Sequence, residues 1–197
     1  MKIGVLALQG DFIEHVIILR SIGVETVEVR LPEDLASLDA LIIPGGESTT
    51  IGKLAVEYKL IEPMREFARR NPVWGTCAGM IFMAKDIGQD QPLLGLMDIS
   101  VRRNAFGRQI DSFEVELQVP ALSNGNSRPF PAVFIRAPIL QSVNENAGAV
   151  VLASLDDGTA VAARQANWLV TSFHPELTGD VRFHQYFVQM VTGAKNS

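Results

Sequence analysis

The sequence predicts an α/β protein, a three-layer fold in which an open, mostly parallel sheet lies between helices on both faces, with some antiparallel strands in the second half. Three observations point there. In the first half, short apolar runs alternate with stretches of helical spacing. The runs end in glycine-bearing turns, as strands of a parallel sheet do before a crossover. In the second half strand-like runs follow one another with turn-rich stretches between them.

The elements follow in order. Ile3 to Leu8 is a continuous apolar run closed by Gln9-Gly10, which reads as a buried strand. Phe12, Val16, Leu19 and Ile22 then recur at helical spacing, with Asp11 as N-cap and Gly23 as stop. Val24 to Val29 is a second strand. Leu38 to Ile43 is a third, ended by Pro44-Gly45-Gly46. Helical segments run on through Met64 to Arg70. Val73-Trp74 is a very short strand, and helical pattern resumes after Cys77. Further strands are expected at Ile99 to Arg102, Ser112 to Gln118, Ala132 to Ile135, Val150 to Ser154, Thr159 to Arg164 and Trp168 to Phe173. Asp157-Gly158 is a hairpin signal. Asp180 to Val191 closes the chain as a helix. The longest loop, Ser123 to Pro131, is short enough to lie within one domain, so 1–197 is read as a single domain.

Composition narrows the function classes. The net charge is -5 and the basic residues are scattered, so no cationic stripe offers itself to nucleic acid. A single cysteine cannot form an internal disulfide, so nothing points to an oxidising compartment. The apolar run at the N-terminus stops at Gln9-Gly10-Asp11, too short for a signal-peptide core, and no later run approaches a membrane span. A cytoplasmic protein with no membrane partner is the expectation. One cysteine and three dispersed histidines give no zinc-ligand pair, so no metal is expected.

Three motifs carry chemistry. Gly75-Thr76-Cys77-Ala78-Gly79 follows a strand and opens a helix, the spacing of a nucleophile elbow with sulfur in place of the hydroxyl. The glycines clear side chains from a tight turn. A helix N-terminus favours thiolate, and the N–H of Ala78 faces the place where an oxyanion forms. The competing reading is a buried structural cysteine. His174-Pro175-Glu176 ends the strand "WLVTSF". An imidazole could take the thiol's proton and a carboxylate two residues on could fix its tautomer. Pro175 favours extended backbone at His174, which puts both side chains on one side of the chain. A plain surface turn is the alternative. His15 and His184 fall inside the first and last helices and read as packing or partly exposed residues. The third motif is Pro44-Gly45-Gly46-Glu47-Ser48-Thr49-Thr50, at the carboxyl end of a strand where open sheets bind ligands. It reads as a weak phosphate loop, as the second oxyanion donor, or as a turn with Ser48 or Thr49 capping a helix. Arg103-Asn104 and Arg136 either hold a carboxylate or are solvated charge.

Taken together these residues resemble the class I glutamine amidotransferases, which use a Cys-His-Glu triad on an α/β sheet. The blocks "LALQGDFIEH", "PGGESTT", "GTCAGM", "RNAFGRQIDSFE", "FIRAP" and "SFHPELT" are similar to those of the glutaminase subunits of pyridoxal 5′-phosphate synthase, and they run from residue 6 to residue 178. The resemblance implies hydrolysis of L-glutamine to L-glutamate and ammonia, with the ammonia passed to a barrel-type synthase subunit that builds the vitamin B6 cofactor from a pentose phosphate and a triose phosphate. It implies no cofactor for this chain. It makes Cys77 the nucleophile, His174 the base and Glu176 its orienter. It assigns glutamine binding to Gly46, Glu47, Ser48, Arg103, Ile135 and Arg136, the oxyanion hole to Gly46 and Ala78, and to Gln9 a place near the oxyanion loop and the synthase interface. A glutaminase serving histidine or purine synthesis is argued against by "FIRAP" and "RNAFGRQIDSFE". A non-enzymatic module that keeps Cys77 for packing stays open.

Overall fold

The computed structural model describes residues 1–103, 112–122 and 128–195. Asn104 and most of the "RNAFGRQIDSFE" block lie outside the described residues, as do 123–127 of the expected loop. In chain order the elements are β1 (Lys2–Leu6), α1 (Phe12–Ser21), β2 (Glu25–Val29), β3 (Ala40–Ile43), α2 (Ser48–Glu57), α3 (Ile61–Ala68), β4 (Val73–Thr76), α4 (Ala78–Met83), β5 (Ala84–Asp86), β6 (Met97–Arg102), β7 (Ser112–Leu117), β8 (Phe130–Ile135), β9 (Ile139–Val143), β10 (Ala149–Ser154), β11 (Ala160–Gln165), β12 (Trp168–Thr171) and α5 (Arg182–Lys195).

Among the described residues the main sheet has the order β10-β11-β12-β4-β3-β1-β2. From β2 to β12 its strands run parallel, and β10, β11 and β12 pair antiparallel. The alternation of β3 shows how two layers are fed from one strand: Leu41 and Ile43 join one apolar cluster, Ala40 and Ile42 the other. The first cluster holds Ile51, Met64 and Phe82 of α2, α3 and α4. The second holds Val16 and Leu19 of α1 with Phe183 and Phe187 of α5, so helices cover both faces. A small sheet β5-β6-β9 and the β7–β8 hairpin complete the described elements.

The differences from expectation are local. β4 extends through Gly75-Thr76 because β3 and β12 bond it from both sides. β3 starts two residues late, at Ala40. β5 and β9 were not expected: β5 is three residues long, and β9 alternates imperfectly. Asp11 takes the N-cap position of α1 without a side-chain cap bond. The Asp157-Gly158 signal holds, since β10 and β11 form the hairpin around it. The edge strand β10 leaves Val150 and Val151 exposed, and its register shifts twice, at Val151/Ala153 and Ala153/Ser154. Among the described residues no helix is long and apolar enough to cross a membrane.

β1 is flanked by β2 on one side and β3 on the other, which makes the crevice at the carboxyl ends of β1 and β3 a topological switch point. The segments leaving β1, β3, β4 and β12 all emerge at that edge. They carry Gln9, the Gly45–Glu47 loop, Cys77 and His174 respectively.

Candidate active site

Cys77 sits on the turn between β4 and α4 with φ +47° and ψ -104°, a backbone that a β-carbon disfavours. Two bonds hold it there. Its N–H donates to the Thr171 carbonyl (2.8 Å), and its carbonyl accepts from Ile81 (3.3 Å). The flanking glycines are required by close approach. A β-carbon at Gly75 would lie 2.6 Å from the Gly79 carbonyl group, and one at Gly79 would lie 2.0 Å from the Ile43 carbonyl oxygen. The elbow therefore nests against β3 as well as against itself. Ala78 is the first residue of α4, so its N–H has no acceptor within the helix. The thiol points toward the Ile135 carbonyl, 4.0 Å away.

His174 follows β12, and its N–H donates to the Val133 carbonyl of β8 (2.8 Å). Its Nδ1 lies 2.6 Å from Glu176 Oε1 and 3.5 Å from Asp11 Oδ2. The route by which the pair meets differs from the sequence expectation. His174 has ψ 87° and leads into a 3-10 turn, Pro175–Leu177, so the turn rather than extended alternation brings Glu176 back. Both side chains are buried. Burial alone would lower the His174 pKa, but hydrogen bonds with Cys77 and Glu176 outweigh it and raise it to about 10. Burial pushes the Glu176 carboxyl up, against the opposing pull of His174. Asp11, His174 and Glu176 bring potential ligand atoms within 4.8 Å of one another, and a hydrogen bond occupies the His174–Glu176 contact.

A cavity of about 460 Å³ opens over Cys77, with Ala78 and His174 in its wall. The other expected residues line it too: Gly46, Glu47 and Ser48 from the β3–α2 loop, Arg103 after β6, and Ile135-Arg136 after β8. Gln9 joins them and accepts the Glu47 N–H on Oε1 (2.7 Å). Glu176 stands behind His174, outside the cavity wall.

Within this group some roles change. Glu47, not Ser48 or Thr49, caps α2, its carboxylate accepting from the backbone N–H groups of Thr49 (3.1 Å) and Thr50 (2.7 Å). Its partial burial opposes ionisation, but those bonds and the Thr50 hydroxyl hold its pKa at about 2. The same carboxylate meets Arg103 Nη2 at 3.0 Å. Arg103 Nη1 donates to Thr49 Oγ1 (3.1 Å) and Gln91 Oε1 (3.3 Å), so the guanidinium is fixed at the cavity wall rather than solvated. Arg136 has φ +44°, a second unfavourable backbone at the cavity.

Sequence reasoning missed Gln91, Asp11 and the two remaining histidines. His15 and His184 are fully buried and face each other across 2.9 Å, and His15 in turn lies against Glu176. The available signal was spacing: His15 precedes Leu19 by four residues, and His184 precedes Phe187 by three, which puts both on buried stripes.

The SNO glutamine amidotransferase family model matches residues 5–193. A curated relative from Herpetosiphon aurantiacus, named pyridoxal 5′-phosphate synthase subunit PdxT, is 60% identical over 95% of this chain and 99% of its own length. One of the same name from Dehalococcoides mccartyi is 58% identical over 99% of this chain and 100% of its own. A crystal structure described as a glutamine amidotransferase superposes with TM-score 0.89 at 48% identity, covering 96% of this chain and 98% of that one. The structure of PurLQS from Thermotoga maritima shares the fold, with TM-score 0.70 at 17% identity, covering 98% of this chain and 97% of that one.

Proposed function

This chain belongs to the SNO glutamine amidotransferase family, and from that premise we propose that its cavity hydrolyses L-glutamine and that the ammonia is handed to a pyridoxal 5′-phosphate synthase subunit. The observation that carries this is the positive-φ Cys77 on its elbow, lining one cavity together with His174, whose Nδ1 is held by the buried Glu176 behind it. The relatives' name supports the choice of synthase. On this reading 1–197 is a single cytoplasmic glutaminase domain, and its partner is a barrel-type subunit that uses a pentose phosphate.

The steps follow from the atoms. Glu176 holds the His174 proton on Nδ1, which leaves Nε2 to exchange a proton with Cys77. The thiolate attacks the side-chain amide carbon of glutamine. Charge develops on the amide oxygen, and the N–H groups of Ala78 and Gly46 receive it. The carbon–nitrogen bond breaks, and His174 supplies the proton with which ammonia leaves. A water deprotonated by His174 then attacks the thioester, which releases glutamate and restores the thiol. Arg103, steadied by Glu47, Thr49 and Gln91, pairs with the substrate α-carboxylate, and Ile135-Arg136 line the same cavity.

The test is glutamate release from glutamine by this chain with and without the synthase subunit. Release that requires Cys77, together with glutamine-dependent cofactor synthesis by the pair, is expected. Wild-type chain that yields no glutamate even with its partner would refute the reading.

A further inference from the structure

His15 and His184 are buried histidines that the steps above do not use. They form a line with the groups that are used. His184 Nε2 lies 2.9 Å from His15 Nδ1. His15 Nε2 lies 3.3 Å from Thr76 Oγ1 and 3.4 Å from Glu176 Oε2. Glu176 Oε1, the other oxygen, meets His174 Nδ1. At 3.4 Å the His15 contact is a close approach rather than a formed hydrogen bond, and Oε2 has no hydrogen-bond partner among the described residues. His184 Nδ1 has none either. The residue before the nucleophile, Thr76, thus touches the same ring that faces the triad's carboxylate.

One proton lies between the two imidazoles, and its position is determined by what lies at the ends. If His15 holds it on Nδ1, its bare Nε2 can accept from the Thr76 hydroxyl but faces a carboxylate oxygen, and His184 carries a buried N–H with no acceptor. If His184 holds it on Nε2, His15 carries its own proton on Nε2, shared between Thr76 Oγ1 at 3.3 Å and Glu176 Oε2 at 3.4 Å. Only an acceptor, His184 Nδ1, is then unpaired. Orphaned buried donors are the rarer and costlier case. Resting on the glutaminase reading of the site, we propose that His184 fixes His15 in its Nε2–H tautomer and that His15 is a positioning residue, pinning the outer oxygen of Glu176 so that the inner one stays on His174.

The pair adds a donor without adding charge. Burial, then the neighbouring His184 and His174, hold His15 well below the usual histidine range, and burial pushes His184 down to about 3. The groups that bias Glu176 are therefore His174 on one side, Asp11 from the loop before α1, and the neutral His15 from α1 itself.

Two measurements test this. Long-range ¹H–¹⁵N spectra of the full chain with labelled histidine report which nitrogen of His15 is protonated. Nε2–H is expected, and Nδ1–H would overturn the proposal without any variant being made. In the complex with the synthase subunit, His15→Phe should lower kcat for glutamate release by about tenfold with KM for glutamine within about twofold. The acid limb of its kcat profile should move up by about one pH unit, because a carboxylate that has lost a donor protonates more readily. His15→Gln, whose amide can donate at the same place, should restore the limb. An unmoved limb in His15→Phe, or a His15→Gln variant no better than Phe, would overturn the proposal. These outcomes are read against a wild-type complex that releases glutamate; its inactivity would count against the glutaminase reading instead.

Discussion

Replacing Gly45 by alanine should disable the site while leaving the fold in place. The Gly45 backbone is not in the left-handed region, so alanine brings no conformational strain of its own. Its β-carbon, however, would stand 2.4 Å from His174 Cε1, 3.0 Å from Nδ1 and 3.2 Å from Asp11 Oδ2. Ordinary contact with a ring carbon needs about 3.5 Å, so the imidazole or the loop must move by about 1 Å. The His174–Glu176 bond is only 2.6 Å long, and the ring also faces Cys77. A displacement of that size costs on the order of a hundredfold in turnover, because proton transfer requires near-attack geometry. The assay is glutamate release at saturating glutamine in the assembled complex, paired with cofactor synthesis supported by added ammonium, which bypasses this chain's chemistry. A loss of about a hundredfold in the first with the second intact is expected. A folded Gly45→Ala complex with wild-type kcat would show that His174 does not work in the position described.

Four further outcomes can be checked. Cys77→Ala should abolish glutamate release, by assay, while far-UV dichroism and co-purification with the synthase subunit stay unchanged. Glu47→Ala removes a helix cap and frees Arg103 together, so it should cost about 1 kcal/mol in denaturant unfolding and raise KM for glutamine in the glutamate assay. The folded pKa of His174 lies above its unfolded value of 6.5, at about 10, so its stabilising contribution is complete below pH 6.5 and is lost as pH rises toward 10. The melting-temperature gap between wild type and His174→Asn should narrow across that range. His184 is shifted the other way, to about 3, so the unfolded chain takes up its proton first and stability falls as pH drops from 6.5 toward 3. His184→Phe should make thermal melts less sensitive to acid over that interval.

What the sequence disclosed follows the range of the forces involved. The parallel layer was legible because strands buried on both faces are written as unbroken apolar runs, as in "ALII" of β3. The elbow was legible because its glycines are demanded by contacts within a few residues and one neighbouring strand. The cap of α2 was misassigned because side-chain preference points to Ser48 or Thr49, whereas the Gly45-Gly46 turn delivers Glu47 to that position. The imidazole pair could not be read at all. Its partners are 169 residues apart, and a histidine on an apolar helix face carries no mark of what it meets. β5 is set by its register with β6 and is too short to show a period.

The far border of the main sheet has a bearing on how the protein behaves in a crowded solution. β10 is an outermost strand with two solvent-facing valines, which is a template for stacking one molecule onto another. Its two register shifts interrupt the straight row of free amides and carbonyls that an incoming strand needs. Solubility at this border is therefore protected by backbone geometry, and a deletion that straightened β10 would invite polymerisation without touching the chemistry at the carboxyl ends of the inner strands.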